Sequence, residues 1–435
     1  MSSARSLTPK QLSAIDRLST RRSTILVAPT GAGKTVIALS AITKAIAAGK
    51  LHKIIVACPA KVLATMIWPN EAAKWDHLRK IRIVQLEGDS AKRTRGLMRT
   101  NGVVHIIMVS LNNLDWLLNQ DHECDGIIID ELSKAAGKQS KGLKSKRKGD
   151  CFKWRVGMTA TPVSQDFEKL FPMARIIDKG KALGTNRYNY LSRYFYSDYM
   201  GYNWTLKDDG ATRITDKVKK LIYLVEDTKK EDLPRLTERT IRFHMHPGTR
   251  EVYQQMKKHM VTDDVEAANA AVASGKLRQL GSGFIYNDQK EVTVYDSNRR
   301  DKAVDWWLAL DKRPVVIFYE FVEQGETLER VFNKYLSASV EEFIAGEGCV
   351  LLAQINSMSH GVDGLQHVCS DALMYHPMWS RDATEQAQGR LWRTGATKEV
   401  TITTLVCVDT LDDLVMARVE DRAEWMKLFT EHLGE

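Results

Sequence analysis

Ile25-Leu26-Val27-Ala28-Pro29-Thr30-Gly31-Ala32-Gly33-Lys34-Thr35 decides how the rest of the chain is read. Three apolar residues suited to a buried strand run directly into a turn with two glycines. Thr35 to Ala48 then reads as a helix rich in Ala, Ile and Leu. In a strand, glycine turn and helix of this kind, backbone N–H groups and the helix N-terminus converge on phosphate oxygens. The pattern Gly-x-x-x-x-Gly-Lys-Thr carries Ala28 at its first position, while Gly31 to Thr35 keep its core. Lys34 in that core reaches the β and γ phosphates of a nucleotide, and the Thr35 hydroxyl faces Mg²⁺. Thr30, Gly31, Ala32, Gly33, Lys34 and Thr35 are the expected phosphate-loop residues, with ATP and Mg²⁺ as ligands.

Asp130-Glu131 follows a second apolar run, Gly126-Ile127-Ile128-Ile129. Two carboxylates at the end of a buried strand are costly unless a cation or a water uses them. Asp130 is the candidate metal ligand. Glu131 is the candidate for orienting and deprotonating an attacking water.

Further strands are expected at 53–58, 81–86, 103–109 and 155–158, separated by helical stretches. That alternation implies a parallel sheet covered by helices on both faces. A second alternating region begins near Arg239, with strands expected at 315–318, 350–352, 372–374 and 400–406. Between the two, the residues from Tyr188 to Trp204 are crowded with tyrosine, and Thr212 to Val225 looks helical. The fold class expected is α/β, with two parallel-sheet lobes in tandem. Residues 1–177 form the first lobe and 239–435 the second. Residues 178–238 form an aromatic-rich helical insertion or connector belonging to neither sheet.

The chain has 435 residues, 43% of them hydrophobic, and a formal net charge of +9, which suits a polyanionic partner. Its six cysteines are scattered, with no Cys-x-x-Cys pair, which argues against a zinc ribbon or a disulfide framework. No apolar signal core follows Met1, and no apolar run approaches a membrane span. A soluble, cytoplasmic protein without a membrane partner is expected.

These motifs, in this order, resemble the two-lobed superfamily-two helicases, and more closely their Swi/Snf-like branch of the bacterial and phage type. Thr8-Pro9-Lys10-Gln11 resembles the family's adenine-contacting segment, with Gln11 as the contact. Ala28 to Thr35 is similar to motif I. Cys58-Pro59-Ala60 with Ile67-Trp68-Pro69-Asn70-Glu71 resembles the next motif, which lies along nucleic acid in relatives. Asp130 to Lys134 is similar to motif II, and Gly157 to Pro162 to motif III. Val315 to Glu320 resembles motif IV, Ser357 to Gln366 motif V, and Gln386 to Gly395 motif VI. Gly281 to Tyr286 looks like a connector of phage members.

The resemblance implies two RecA-like lobes with ATP bound in the cleft between them. It adds Gly361 and Asp363 to the nucleotide contacts, and Gln386, Arg390 and Arg393 to the catalytic set. An arginine supplied by a second lobe stabilises charge on the transferred phosphoryl group. Arg390 and Arg393, three apart, share one face if the segment is a helix. The sequence departs from the family at Leu132-Ser133, at Val362-Asp363-Gly364 and at Gly395-Ala396. None of these removes a phosphate, metal or arginine group.

The implied activity is ATP-dependent movement along DNA, or its remodelling, in phage or bacterial replication, recombination or repair. If phage-encoded, the protein works in the host cytoplasm. The alternatives are an RNA helicase and a non-catalytic, ATP-switched DNA clamp. Single- or double-stranded DNA, bound without sequence preference, is the first expected partner and RNA the second. A monomer is expected, with a separately encoded nuclease or replication protein as a further partner. The basic run from Lys134 to Lys148 offers Lys144, Lys146, Arg147 and Lys148 as phosphate-backbone contacts. Lys61 and Ser110, at strand ends, are weaker nucleic-acid candidates. The tyrosine cluster is expected mainly as packing, with base stacking as its alternative.

Overall fold

The computed structural model describes residues 6–29, 31–100, 104–135, 143, 151–160, 162, 167–199, 204–225, 233–260, 267–287, 289–355, 364–378, 381–393 and 395–417. The chain divides into two compact units, with the first boundary between residues 227 and 228.

The first unit holds strands β1 (Ser23–Val27), β2 (Ile54–Cys58), β3 (Ile83–Leu86), β4 (Ile106–Ser110), β5 (Gly126–Asp130), β6 (Trp154–Thr159), β7 (Phe195–Ser197), β8 (Trp204–Leu206) and β9 (Ile222–Leu224). Seven of them form one sheet in the order β3-β4-β2-β5-β6-β1-β9. All of its pairings are parallel. Side chains alternate between its faces, as a period of two requires. Ile25, Val27, Ile55, Ile107, Ile127 and Ile129 enter one buried layer. Leu26, Ile54, Val56, Ile106, Ile128 and Met158 enter the other. A parallel sheet covered on both faces needs such unbroken apolar strands.

The second unit holds β10 (Leu236–Phe243), β11 (Phe284–Tyr286), β12 (Val292–Val294), β13 (Val315–Tyr319), β14 (Val350–Gln354), β15 (Asp371–Met374) and β16 (Val400–Cys407). Its main sheet runs β10-β16-β15-β13-β14, again wholly parallel. Val315, Ile317 and Leu373 face one layer, and Val316, Phe318 and Ala372 the other. Within this core Arg299 and Asp412 are 3% and 4% exposed and paired at 2.5 Å. Arg299 also donates to the carbonyls of Gly281, Tyr375 and Leu405.

Two expectations are corrected here. The stretch 178–238 is not a connector outside both sheets. A helix ends at Val218, and residues 222–224 form β9, which pairs with β1 from Ile25↔Ile222 to Val27↔Leu224. Tyr190, Leu191, Tyr194 and Phe195 are buried in the same layer as Ile25 and Val27. The boundary at 177 therefore moves to 227, because these side chains complete the first unit's core. At the far end, β10 already begins at Leu236 and pairs with β16 over its full length. Three buried or half-buried residues after an amphipathic helix read equally well as its last turn, which hid β9 in the sequence.

The tyrosines sort accordingly. Tyr190 stacks on Phe171 at 5.0 Å and donates its hydroxyl hydrogen to the Phe167 carbonyl at 2.7 Å. Tyr188, Tyr196 and Tyr199 are exposed. Among the described residues no helix is long and apolar enough to cross a membrane.

Candidate nucleotide site

Parallel α/β sheets bind ligands at the carboxyl ends of their strands, where loops and helix N-termini gather. In the first unit Val27, Asp130 and Thr159 end β1, β5 and β6, three neighbours in the sheet. Two strand spacings separate β1 from β5, about 10 Å. The Ala28 N–H donates to the Thr159 carbonyl at 3.1 Å, tying the loop after β1 to the end of β6.

Three short segments around that edge are labelled α1 (Pro9–Thr20), α2 (Lys34–Ala47) and α3 (Ala60–Ala64), and a fourth is α4 (Ile67–Ala73). The loop from β1 enters α2 through Gly31 and Gly33, both left-handed with φ of 88° and 83°. The left-handed backbone at Gly33 favours glycine, and a Cβ there would lie 2.6 Å from Gln11 Nε2 and push that side chain off the loop. Lys34 Nζ donates to the carbonyls of Ala28 and Pro29 at 2.8 and 3.1 Å, curled over its own loop. Thr35 is half-buried in the first turn of α2. Gln11 accepts from the Thr8 N–H at 2.9 Å and donates to the Ala32 carbonyl at 3.2 Å. It thus caps α1 and touches the phosphate loop with one side chain.

Asp130 is 9% exposed, and burial, with Glu131 beside it, pushes its carboxyl up to about 6. Trp68, in α4, donates its indole N–H to Asp130 Oδ2 at 3.2 Å. Glu131 turns the chain out of β5 with φ of 56°. Left-handed backbone costs a residue with a Cβ roughly 1–2 kcal/mol, and such strain gathers at functional sites. Leu132 then packs against Gly157 of β6, where a Cβ would come within 2.4 Å of the leucine. Gly157 therefore sets how closely the Asp130-Glu131 turn lies on the sheet.

A buried carboxylate answered only by neutral hydrogen-bond donors, and a hydroxyl in a nearby helix turn, suit a hard divalent cation that takes oxygen ligands. The residues present fit Mg²⁺ held by Asp130 and Thr35. Trp68 was missed as a site residue from sequence. It stands 62 positions before Asp130, and nothing local announces their bond.

The nucleic-acid candidates on this unit divide. Lys61 is half-buried in α3, just past the end of β2. Ser110 ends β4 and is 5% exposed, because it starts the short turn Leu111–Asn113 facing inward. Thr30, Lys144, Lys146, Arg147, Lys148, Gly361 and Asp363 lie outside the described residues.

In the second unit Gln386 and Arg390 sit on the helix Arg381–Leu391, half-buried and buried respectively. Arg393 lies beyond that helix, so the shared helical face expected for the two arginines is corrected. Trp392 donates its indole N–H to the Pro234 carbonyl at 2.7 Å, and Gly395 is left-handed at φ 99°. The unit also buries a network that the motifs did not flag. Arg278 meets Glu320 Oε2 at 2.9 Å and His376 Nδ1 at 2.7 Å.

Among known proteins, protein p41 of Acyrthosiphon pisum secondary endosymbiont phage 1 is 26% identical over 431 residues, covering 92% of this chain and 93% of that one. The DNA excision repair protein ERCC-6-like of Bos taurus is 27% identical over 175 residues, which span 38% of this chain but 14% of that protein. The SWI2/SNF2 ATPase core of Sulfolobus solfataricus, solved in complex with dsDNA, aligns over 99% of this chain and 94% of its own, with 17% identity and a TM-score of 0.45. The SNF2-related domain family model matches residues 13–290, more than half of the chain, and the chain therefore belongs to that family of nucleic-acid-dependent ATPase cores.

Proposed function

We propose that this chain hydrolyses ATP to translocate along DNA or remodel it. The observation that carries the reading is Asp130, a dry carboxylate at the strand-end edge shared with the Gly31–Thr35 loop. Bound Mg²⁺ would supply charge neutralisation on the β and γ phosphates. Asp130 and the Thr35 hydroxyl hold it. Lys34 gives up the carbonyls of Ala28 and Pro29 for phosphate oxygens, with Thr30 to Gly33 lining the loop. Glu131 orients the attacking water and takes its proton. Gln11 contacts the adenine edge, and Gly361 and Asp363 contribute as in the family's motif V. Arg390 and Arg393 supply positive charge to the transferred phosphoryl group, with Gln386 positioned one turn before Arg390.

DNA is favoured as the track by the net charge of +9 and by the repair-related name of the ERCC-6-like relative. Lys61 and the basic run through Lys144, Lys146, Arg147 and Lys148 are the proposed backbone contacts. Translocation does not require strand separation.

ATP turnover with duplex DNA, single-stranded DNA and RNA tests the reading. Lys34→Ala and Arg390→Ala should each lower DNA-stimulated turnover by about a thousandfold. Turnover like wild type in either variant overturns the site, and stimulation by RNA alone overturns the track.

A further inference from the structure

The indole of Trp68 is fully buried, yet its N–H ends on Asp130 Oδ2 and on no backbone carbonyl. A buried carboxylate with one side-chain donor is held in the rotamer which that donor selects. The indole fixes Oδ2, and with it the orientation in which the carboxylate is presented to a cation. Trp68 belongs to a segment packed against the helix of the phosphate loop as well. Further along it, Ser40 of α2 and His77 share a hydrogen bond at 2.8 Å. The same segment carries Lys61 one short helix earlier, in α3. One run of chain therefore touches the metal carboxylate, the phosphate-loop helix and a candidate nucleic-acid contact.

We infer that Trp68 is the positioning residue for Asp130, and that it ties the metal-holding carboxylate to the α3–α4 segment. Movement of that segment on DNA is felt at Asp130 through the indole, and loading of the nucleotide site is felt at the segment by the same bond. The inference rests on the proposed ATP site and adds how that site is coupled to its track.

The test uses the whole chain with Mn²⁺ or Mg²⁺ and a non-hydrolysable ATP analogue. With Mn²⁺, a paramagnetic ion, the Trp68 indole N–H resonance, one of ten tryptophan indole signals, should broaden beyond detection. Trp68→Phe, which keeps an aromatic ring and removes the donor, should delete that same resonance. It should also raise the Mg²⁺ concentration needed for half-maximal analogue binding by about tenfold, the usual scale for loss of a ligand's hydrogen-bond partner. Trp75→Phe is the control, because Trp75 lies just past α4 and donates to Glu71 at 2.9 Å instead. Its Mg²⁺ requirement should match wild type. If the analogue binds with Mn²⁺ and no indole resonance is broadened, the inference fails while the ATP site stands. If Trp68→Phe does not fold, the wild-type Mn²⁺ measurement decides alone. Failure of the analogue to bind at all overturns the ATP site itself, and this inference with it.

Discussion

The two units share an architecture and differ in how they bury charge. Each is a wholly parallel sheet between two apolar layers, and each hides a carboxylate near the carboxyl end of a strand. In the second unit Asp412 is answered by the Arg299 guanidinium and by the Cys407 N–H at 3.0 Å. The arginine in turn is saturated by three carbonyls. In the first unit Asp130 accepts from the Trp68 indole and from the Glu131 backbone N–H, has no guanidinium against it, and is pushed up to about 6 by burial. A buried charge that is fully answered belongs to the fold. One left under-compensated beside a glycine-rich loop is the candidate for chemistry.

The contrast breaks most directly by swapping which property each site loses. Asp130→Asn should lower ATP turnover by about a thousandfold, since the metal loses its carboxylate. The metal-free variant should unfold at a urea concentration no lower than wild type. Arg299→Met should do the reverse to the second unit, removing about 3–5 kcal/mol of stability by leaving Asp412 buried and unpaired. Urea unfolding of the second unit reads that loss. If Asp130→Asn instead destabilises as much as Arg299→Met, the two carboxylates play the same role and the distinction collapses.

The strands and the phosphate loop were legible in the sequence because both are local. Apolar runs buried on two faces leave no ambiguity, and Gly31 to Thr35 carry their geometry with them. What escaped depends on distant partners. β9 is a strand only because β1 offers it an edge. Trp68 matters only because β5 ends beside it. Arg393 falls past the helix end at Leu391, a boundary that the spacing of the two arginines does not mark. Ser110 looked available from its position at a strand end, and only the packed turn after it shows that it is buried.

A pH series in EDTA sharpens the comparison further, because the two units should respond in opposite directions. The Asp130 carboxyl is raised from 3.8 to about 6, so its favourable contribution is complete below about 3.8 and lost as pH rises through about 6. That displacement corresponds to about 3 kcal/mol of stability in the metal-free protein. In the second unit, burial and the Arg278 charge push the His376 imidazole well below 6.5. Its contribution is complete above 6.5 and declines as pH falls below that value. Wild type minus Asp130→Asn should therefore gain stability between pH 7 and pH 4, and wild type minus His376→Gln should lose it. Parallel slopes would show that the two buried groups are not set apart as the geometry indicates.

Gly157→Ala probes a smaller effect at the same edge. The added methyl meets Leu132 at 2.4 Å and Ile177 at 3.1 Å, so the turn carrying Asp130 and Glu131 must lift from the sheet. Overpacking of this kind costs about 1–3 kcal/mol. The second unit should be untouched, and turnover should fall further than the stability loss explains, because the displaced residues are the ones proposed to hold the metal and the attacking water. Thermal unfolding and ATP turnover measured on the same preparation separate the two.

The smallest effect belongs to Lys61, and it distinguishes the edge proposed to hold nucleotide from the edge proposed to meet DNA. Lys61 follows β2, on the opposite side of β5 from the phosphate loop. One lysine on a phosphate backbone releases about one counterion, so Lys61→Ala should weaken DNA binding a few-fold and reduce the salt slope by about 1. Binding of the ATP analogue without DNA should stay as in wild type, since none of the loop residues moves. The measurement is DNA affinity by fluorescence anisotropy across a salt series. An unchanged slope would remove Lys61 from the track. It would leave the β2 end of the sheet with Trp68, and its bond to Asp130, as the only described feature there tied to the nucleotide site.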